Sequence, residues 1–79
     1  MNKKILITGA NGFLGSAITR LALKKKFKVN VLVRENTNIT NLENIRSKIN
    51  FFYGDLRDIS SLEKPIVNSD VIFHVAADY

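Results

Sequence analysis

Residues 3–15 read Lys-Lys-Ile-Leu-Ile-Thr-Gly-Ala-Asn-Gly-Phe-Leu-Gly, and this stretch decides the fold. A short apolar run that ends at Ile7 leads directly into three glycines separated by two residues each, Gly9, Gly12 and Gly15. A long helical pattern follows them. A strand, a glycine turn and a helix in this order form the arrangement that holds the phosphates of a dinucleotide.

Each glycine has a separate physical task in such a turn. Gly9 lets the chain leave the strand in a tight turn that a Cβ atom would obstruct. Gly12 leaves room for a pyrophosphate to approach the backbone, and Gly15 lets the helix pack close to the sheet. Free N–H groups and the positive end of the helix dipole then face the anion. A turn that joins a strand to a helix without binding phosphate is the alternative, and the apolar-striped helix behind the motif argues against it.

The chain has 79 residues, a net charge of +5 and no cysteine. A chain of this length forms at most one small domain with a modest core. The absence of cysteine excludes a disulfide framework and a thiolate metal site. The apolar run after Met1 is too short for a signal-peptide core or a membrane span. We therefore expect a cytoplasmic protein without a membrane partner, and we assign no metal ligands.

Much of the positive charge lies in one cluster near the end of the first helical pattern, formed by Lys24, Lys25, Lys26 and Lys28. A helix rises about 1.5 Å per residue, which puts this cluster roughly 20 Å from the glycine turn. The lysines are well placed to complement the negative end of the helix dipole. Phe27 is the one aromatic residue within the cluster, and no nucleic-acid-binding motif accompanies it. We interpret it as a solvated face and expect no nucleic-acid partner.

The segment behind the glycine turn, residues 13–26, is predicted to be a helix with an apolar stripe on one face. The members of the stripe recur at three- and four-residue spacing and are Leu14, Ala17, Ile18, Leu21 and Ala22. Such a stripe is typical of a helix that turns one face to a protein core.

Four short runs rich in apolar or β-branched residues predict strands, at residues 3–8, 28–34, 50–53 and 71–75. The polar, asparagine-rich stretch between the second and third runs includes a short helix around residues 42–45. A further helical segment precedes the fourth run, with Ser60 and Glu63 in capping-box spacing. Pro65 is expected to cut or kink that helix because proline lacks the N–H that an interior turn needs.

The order βαβ(α)βαβ implies parallel strands with right-handed crossovers. The predicted fold class is therefore α/β, the amino-terminal half of a Rossmann-type doubly wound parallel sheet with strand order 3-2-1-4. Its fourth strand would form an exposed edge, whereas parallel sheets normally continue and have both faces covered. We interpret residues 1–79 as the amino-terminal, incomplete part of a dinucleotide-binding domain. As an isolated fragment it is expected to be marginally stable or to aggregate.

The turn Thr-Gly-Ala-Asn-Gly-Phe-Leu-Gly resembles the T-G-x-x-G-x-x-G signature of the extended short-chain dehydrogenase/reductase family, to which NAD-dependent epimerases and dehydratases belong. Two later segments agree with it, Gly-Asp-Leu-Arg-Asp at residues 54–58 and Phe-His-Val-Ala-Ala at residues 73–77. The ending His-Val-Ala-Ala-Asp-Tyr and the second-strand run Val-Leu-Val-Arg are most similar to the branch of dihydroflavonol reductases and hopanoid-associated sugar epimerases. The resemblance spans the whole chain.

The resemblance implies cofactor-binding roles for individual positions. Those that would line the diphosphate are Gly9, Ala10, Asn11, Gly12, Phe13, Leu14 and Gly15. Asp55 would accept a hydrogen bond from the exocyclic amine of adenine, with the backbone of Leu56 beside it. The alternative is that Asp55 only closes a Gly-Asp turn. Ala76 and Ala77 would pass the nicotinamide ribose, although small residues also suit plain packing.

Arg34, at the end of the second strand, bears on the choice of cofactor. A site for NAD usually places a carboxylate there for the ribose 2′-hydroxyl, and Val33 occupies that position in this chain. A guanidinium pairs well with a 2′-phosphate, so we predict NADP, with NAD as the alternative. Glu35 weakens the prediction because it could bind the hydroxyls or repel the extra phosphate. Arg34 as a merely exposed strand-end residue is the other interpretation.

No catalytic residue is assigned. His74 is interpreted as an interior histidine with one satisfied nitrogen rather than as a general base. The resemblance implies a catalytic Tyr-x-x-x-Lys pair, in which the lysine and the cofactor lower the tyrosine pKa. Arg57 stands four residues after Tyr53, and Tyr79 is the last residue, so the 79 residues do not contain that pair.

Two functions are compatible with these features. The first is the NAD(P)-binding portion of an oxidoreductase or sugar-nucleotide epimerase/dehydratase that transfers a hydride at nicotinamide and acts on a small-molecule substrate. Its full-length parent could be a homodimer, and the 79-residue chain itself is expected to be inactive. The alternative is a non-catalytic dinucleotide-binding sensor or regulatory module, or a truncated product without function.

Overall fold

Four short parallel strands form one sheet, in the spatial order β3-β2-β1-β4. The computed structural model describes residues 3–35 and 37–75. The strands are β1 (Lys4–Thr8), β2 (Lys28–Val33), β3 (Ile49–Tyr53) and β4 (Val71–His74). Their bounds lie within one residue of the predicted ones. The predicted fold class and strand order are confirmed.

The connections between the strands are helical. Helix α1 (Phe13–Lys24) joins β1 to β2, and a 3₁₀ helix (Thr40–Lys48) joins β2 to β3 where a short helix was predicted. A second 3₁₀ helix (Ile59–Leu62) and the five-residue α2 (Glu63–Val67) precede β4. Within the described part of the chain, no helix has the length and hydropathy that crossing a bilayer requires.

The register of the parallel strands brings their carboxyl ends to one level. Thr8 pairs with Leu32 of β2 and with His74 of β4, and Leu32 pairs with Phe52 of β3. The residues that follow the strands therefore gather at one edge of the sheet. This edge is where ligands bind in open α/β sheets.

The core lies on the face of the sheet that carries the odd-numbered residues of the central strands. Five of these side chains are buried together, at Ile5, Ile7, Val29, Val31 and Val33. Ala22 of α1 and the fully buried Leu42 of the long 3₁₀ helix belong to the same cluster. Both connections between β1, β2 and β3 thus pack on this face.

The apolar stripe predicted on α1 matches the face that the helix buries only in part, at Ile18 and Ala22. Leu14 and Leu21 are 60% and 53% exposed, whereas the buried residues of the helix are Gly15, Ser16, Thr19 and Ala22. The Thr19 hydroxyl donates to the carbonyl of Gly15 over 2.8 Å, so it is buried without an unpaired polar atom. The smallest side chains face the sheet, because the close approach of the helix leaves no room for leucine.

Helix α1 ends at Lys24, two residues before the predicted end. Lys26 adopts a positive φ of 72°, a conformation that glycine usually supplies at this position. Its N–H donates to the carbonyl of Leu23, and that of Phe27 donates to the carbonyl of Ala22. This pattern is a Schellman motif, which terminates the helix by satisfying its last carbonyls.

The predicted capping box before β4 is not formed. The Ser60 hydroxyl donates to the carboxylate of Asp58 over 2.8 Å, and α2 begins only at Glu63. Pro65 is the third residue of α2, where a helical N–H has no intrahelical acceptor in any case. It therefore does not interrupt the helix, contrary to the prediction.

Candidate functional site

A cleft of about 460 Å³ opens where the carboxyl ends of the strands meet. Its size lies in the range of small-molecule sites. It brings together six of the residues that the sequence had suggested, namely Gly9, Asn11, Gly12, Arg34, Asp55 and Leu56. They come from three separate segments, the glycine turn, the loop after β2 and the turn after β3.

The three glycines of the turn meet different surroundings. Gly9 has a positive φ of 69°, and a Cβ atom there would lie 2.5 Å from the carbonyl oxygen of Val75. A Cβ atom on Gly15 would overlap the carbonyl oxygen of Gly9 and lie 2.8 Å from the Cα atom of Ala10. On Gly12 it would meet only the carbonyl oxygen of Gly9, at an ordinary 3.6 Å. The protein's own packing therefore requires glycine at Gly9 and Gly15 but not at Gly12.

The start of α1 suits an anion. Gly12 is the N-cap residue, and no side chain accepts a hydrogen bond from the first turn of the helix. No acidic residue lies in that turn. The first N–H groups of a helix lack intrahelical acceptors and carry partial positive charge, so an uncapped start beside an open Gly12 fits a phosphate group.

Four other residues predicted around the diphosphate lie outside the lining of the cleft. Ala10 is fully buried in the core, Gly15 is buried in α1, and the Phe13 and Leu14 side chains are 90% and 60% exposed. Any role of these four would fall to their backbone groups. Ala76 and Ala77 lie outside the described residues, and their predicted role stays a prediction.

The Asp55 carboxylate is held by Arg57, two residues further along the chain. The Arg57 backbone N–H donates to Oδ1 over 2.9 Å, and its guanidinium donates to Oδ2 over 2.8 Å from Nη2. Nε lies 3.2 Å from Oδ1. These hydrogen bonds, first from the side chain and then from the backbone, lower the pKa of Asp55 to about 2. The carboxylate is therefore ionised at neutral pH.

The same contacts already reach both oxygens of the Asp55 carboxylate. Its side chain closes a turn by accepting from Arg57, which is the structural alternative that the sequence predicts. Nε of Arg57 is shared, at 3.2 Å from Oδ1 and 3.3 Å from Oδ2, so each oxygen has two contacts from Arg57. Because Asp55 lines the cleft and its side chain is 32% exposed, a ligand donor can approach the carboxylate by taking over part of the shared contact.

Arg34 and Thr37 form the wall that follows β2. Both line the cleft, and the Arg34 side chain makes no ion pair with any residue in the described ranges. Its charge contributes to lowering the pKa of Asp55, although it ranks below the contacts from Arg57. Glu35 is exposed and does not line the cleft. A cation without a carboxylate partner thus faces the open space.

His74 is not the interior residue that its apolar strand suggested. It is exposed on the edge strand and lines the cleft, and its Nδ1 lies 2.6 Å from the hydroxyl oxygen of Thr8. One nitrogen is satisfied, as predicted. Of the eight lining residues that sequence reasoning missed as part of the site, four have polar side chains, namely Thr8, Thr37, Arg57 and His74. The pairing of Thr8 with His74 was the available signal, because it follows from aligning two strands that end at one level.

Within residues 3–35 and 37–75, no three side chains of the metal-binding types stand together. The polar groups of the cleft are backbone amides, two guanidinium groups, one carboxylate, hydroxyls and an imidazole. This set suits an anionic ligand with further hydrogen-bonding groups, as in a nucleotide.

The chain matches the model of the NAD dependent epimerase/dehydratase family over residues 5–79. Anthocyanidin reductase of Vitis vinifera is 34% identical, in an alignment that covers 94% of this chain and 23% of the plant enzyme. A putative dihydroflavonol 4-reductase of Synechocystis is 36% identical, with coverages of 92% and 20%. The chain thus spans less than a quarter of the length of these relatives.

Solved structures agree with the sequence relatives. UDP-glucose 4-epimerase of Thermus thermophilus, in complex with NAD, superposes with a TM-score of 0.77 at 32% identity, over 95% of this chain and 24% of that enzyme. Vestitone reductase from alfalfa gives a TM-score of 0.77 at 33% identity, with coverages of 95% and 25%. With the match over residues 5–79, the fold and the glycine turn show that the chain belongs to the NAD dependent epimerase/dehydratase family.

Proposed function

We propose that this chain binds the adenosine and diphosphate portion of NADP in a reductase or sugar-nucleotide epimerase/dehydratase. One observation carries the proposal: the open start of α1, the Arg34 guanidinium and the Asp55 carboxylate all border one cleft. Family membership and the NAD bound in the related epimerase support a nicotinamide dinucleotide as the cofactor class.

The glycine turn would receive the diphosphate. Gly12 faces open space, and the fold itself does not require glycine there, so a ligand that approaches the backbone accounts for the missing side chain. The first N–H groups of α1 would donate to the phosphate oxygens, and the helix dipole would favour their negative charge.

Asp55 would accept a hydrogen bond from the exocyclic amine of adenine. Arg57 orients the carboxylate and lowers its pKa, and its shared Nε contact could be taken over by a ligand donor. An acceptor in this place favours adenine over a base that presents a carbonyl oxygen there, because two acceptors facing each other leave both unpaired. Leu56 follows Asp55 in the lining of the cleft, so its backbone would lie beside the base.

Arg34 would recognise the 2′-phosphate that distinguishes NADP from NAD. It has no carboxylate partner among the described residues, and Thr37 lines the same wall with a hydroxyl. Glu35, the residue that could favour NAD, does not line the cleft. A charge-assisted contact between guanidinium and phosphate is stronger than a neutral hydrogen bond, which favours NADP.

For the substrate and the reacting groups, we propose only a chemical class. When bound, the nicotinamide supplies a hydride donor or acceptor. The 79 residues contain no Tyr-x-x-x-Lys pair, so proton transfer and the grip on a small-molecule substrate would come from elsewhere in a longer protein, which could be a homodimer. The chain alone is expected to be inactive.

A non-catalytic dinucleotide sensor is the second candidate, because the described residues supply binding groups to the cleft and no catalytic residue is assigned among them. Reading the gene beyond the codon for Tyr79 separates the two candidates. Further strands and such a pair would favour the enzyme, whereas other residues at those positions would favour the sensor.

The cofactor preference is tested by titrating the full-length protein, meaning the product of the complete reading frame, with NADP and with NAD. We expect tighter binding of NADP. The substitution Arg34→Gln removes the charge, and losing a hydrogen bond to a charged group weakens NADP binding about 10- to 100-fold. NAD binding should change by less than about threefold.

The matched control is Arg46→Gln, an exposed arginine of the long 3₁₀ helix that lies outside the cleft and faces Glu43. It should leave both affinities unchanged. Equal or tighter binding of NAD by the unaltered protein would contradict the proposed preference for NADP.

A further inference from the structure

Two walls of the cleft are joined by asparagine side chains. Asn41 Nδ2 donates to the carbonyl oxygen of Asn11, in the glycine turn, over 3.0 Å. Asn11 Nδ2 in turn donates to the carbonyl oxygen of Asn38 over 3.4 Å. We call these three residues, Asn11, Asn38 and Asn41, the asparagine clasp. It connects the glycine turn to the loop that follows β2.

The clasp is anchored in the body of the protein. Arg20 of α1 donates from Nη2 to the carbonyl oxygen of Asn41 over 2.7 Å. The next residue, Leu42, is fully buried in the core. Asn38 is fixed locally as well, since its side-chain oxygen accepts from the Thr40 N–H over 2.8 Å. The far end of the loop therefore has a defined position relative to α1.

The clasp adds a contact to the loop between β2 and the long 3₁₀ helix. Val33 is buried at the end of β2, and at the far side of the loop Arg20 contacts Asn41 and Leu42 is buried in the core. The contact of Asn11 with Asn38 lies nearer to β2 and so marks off a shorter span of the loop. Arg34 and Thr37, which line the cleft, lie within this shorter span. A shorter loop loses less conformational entropy when a ligand orders it.

We infer that Asn41 is a positioning residue, which holds the loop carrying Arg34 and Thr37 against the glycine turn and so sets how tightly the cleft accepts an adenosine 2′-phosphate. The inference rests on the proposed function, because it concerns the same cleft. It adds that diphosphate binding and 2′-phosphate binding are coupled through the clasp. A purely structural role of Asn41 would change stability without changing the preference between dinucleotides.

The test compares Asn41→Ala with Asn44→Ala in the full-length protein. Asn44 is exposed in the same 3₁₀ helix and lies outside the cleft, so it is a matched control. Dissociation constants are measured for NADP and for NAD at one fixed ionic strength. A net hydrogen bond corresponds to about a threefold to tenfold change in binding. We expect Asn41→Ala to weaken NADP binding by this factor and NAD binding by less than about twofold.

Thermal unfolding of each variant shows whether it is folded at the temperature of the titration. If Asn41→Ala is not folded, Asn41→Ser replaces it, because the shorter serine side chain keeps a polar surface but does not span to Asn11. The ratio of the two dissociation constants is the deciding quantity, since a general loss of stability affects both dinucleotides alike.

Three results overturn the inference. The first is an unchanged ratio in Asn41→Ala, with tighter NADP binding by the unaltered protein; the proposed function then stands without the clasp. The second is an unaltered protein that prefers neither dinucleotide, with Asn41→Ala and Asn44→Ala equal; the NADP preference then fails too. The third is an unaltered protein that binds neither dinucleotide; this result contradicts both the proposed function and the inference. The second result has the same meaning if Asn41→Ala weakens the binding of both dinucleotides alike, because the ratio of their dissociation constants is then unchanged.

Discussion

Strands β2 and β4 are both short and mostly apolar, yet they differ in how much of each strand is buried. Five of the six residues of β2 are buried, whereas all four residues of β4 are exposed. β2 lies between two strands, while β4, among the strands of residues 3–35 and 37–75, pairs only with β1, at the edge of the sheet. Hydrophobicity therefore marks both as strands, but the neighbours available to each strand decide how much of it is buried.

The difference extends to the cleft. Its Arg34 and Asp55 walls follow β2 and β3, which lie on the better-covered side, whereas His74 belongs to the exposed edge. A chain that spans less than a quarter of the length of the reductases it matches thus carries well-supported cleft walls after β2 and β3 next to an open edge. We continue to interpret residues 1–79 as the amino-terminal part of a larger dinucleotide-binding domain.

The largest expected effect concerns two glycines of the turn, Gly15, which packs against protein backbone, and Gly12, which lines the cleft. Gly15→Ala should abolish cooperative unfolding, because the new Cβ would overlap backbone atoms that no rotamer change can move. Gly12→Ala should preserve the fold, since its Cβ has ordinary space. It should nevertheless weaken NADP binding at least about tenfold by blocking the approach of the diphosphate.

Urea unfolding followed by circular dichroism, together with NADP titration, measures both effects in the full-length protein. Equal losses of stability in the two variants would show that Gly12 is also a packing residue. Undiminished NADP binding by a folded Gly12→Ala variant would show that the diphosphate does not bind at this turn.

A smaller effect is expected from a pair of isoleucines on adjacent strands. Ile7 of β1 is fully buried, and Ile72 of β4 is 50% exposed. Ile7→Ala should lower the free energy of unfolding by about 2–5 kcal/mol, because it leaves a cavity in the core. Ile72→Ala in the 79-residue chain should cost less than about 1 kcal/mol.

The same Ile72→Ala substitution in a longer product of the gene tests what covers the edge. If further strands pack against β4 there, its cost should rise toward that of Ile7→Ala. A cost that stays the same in both lengths would contradict the interpretation of β4 as an unfinished edge.

The smallest effect concerns the ionisation of Asp55, in the wall of the cleft that follows β3. Its pKa is about 2 in the folded chain against an ordinary 3.8, chiefly because of hydrogen bonds from Arg57. The contribution of Asp55 to stability is therefore present above about pH 4 and is lost as the pH falls toward 2. In Arg57→Gln the pKa of Asp55 should rise toward 3.8, and the ¹³C shift of its carboxyl carbon, followed by NMR against pH, measures it.

Arg46→Gln serves again as the control, since Arg46 faces Glu43 and not Asp55. An unchanged pKa of Asp55 in Arg57→Gln would show that the pair seen between residues 55 and 57 does not hold the carboxylate in solution.

The strands and their order could be predicted because they rest on strong local signals. The glycine turn fixes one strand-to-helix connection, and the alternation of strands and helices then leaves few topologies. The face that α1 buries could not be predicted in the same way. Counting apolar residues selects Leu14 and Leu21, but the close approach at Gly15 admits only small side chains such as Thr19.

The residues of the site divide in the same way, into those that a sequence pattern indicates and those that it does not. Arg34 was predicted because it directly follows β2, and Asp55 because residues 54–58 resemble the family's pattern; both line the cleft, and their roles stay predictions. Arg57 and Thr37 lie in loops, whose conformation depends on contacts such as those of the asparagine clasp, and a sequence pattern does not contain these contacts. The preference for NADP depends on where the exposed Arg34 side chain meets a ligand, so it remains a prediction.

The arrangement of the cleft also bears on how the protein is made. Every described wall of the cleft lies at or before Val75, and a ribosome adds about 5–20 residues per second. Synthesis of this stretch therefore takes on the order of 4–15 s, while mixed α/β domains of this size fold within about milliseconds to a second. If further residues follow Tyr79, the walls of the cleft are thus synthesised before the chain that would cover β4, and until then the outer edge of β4 is open to pairing with another strand.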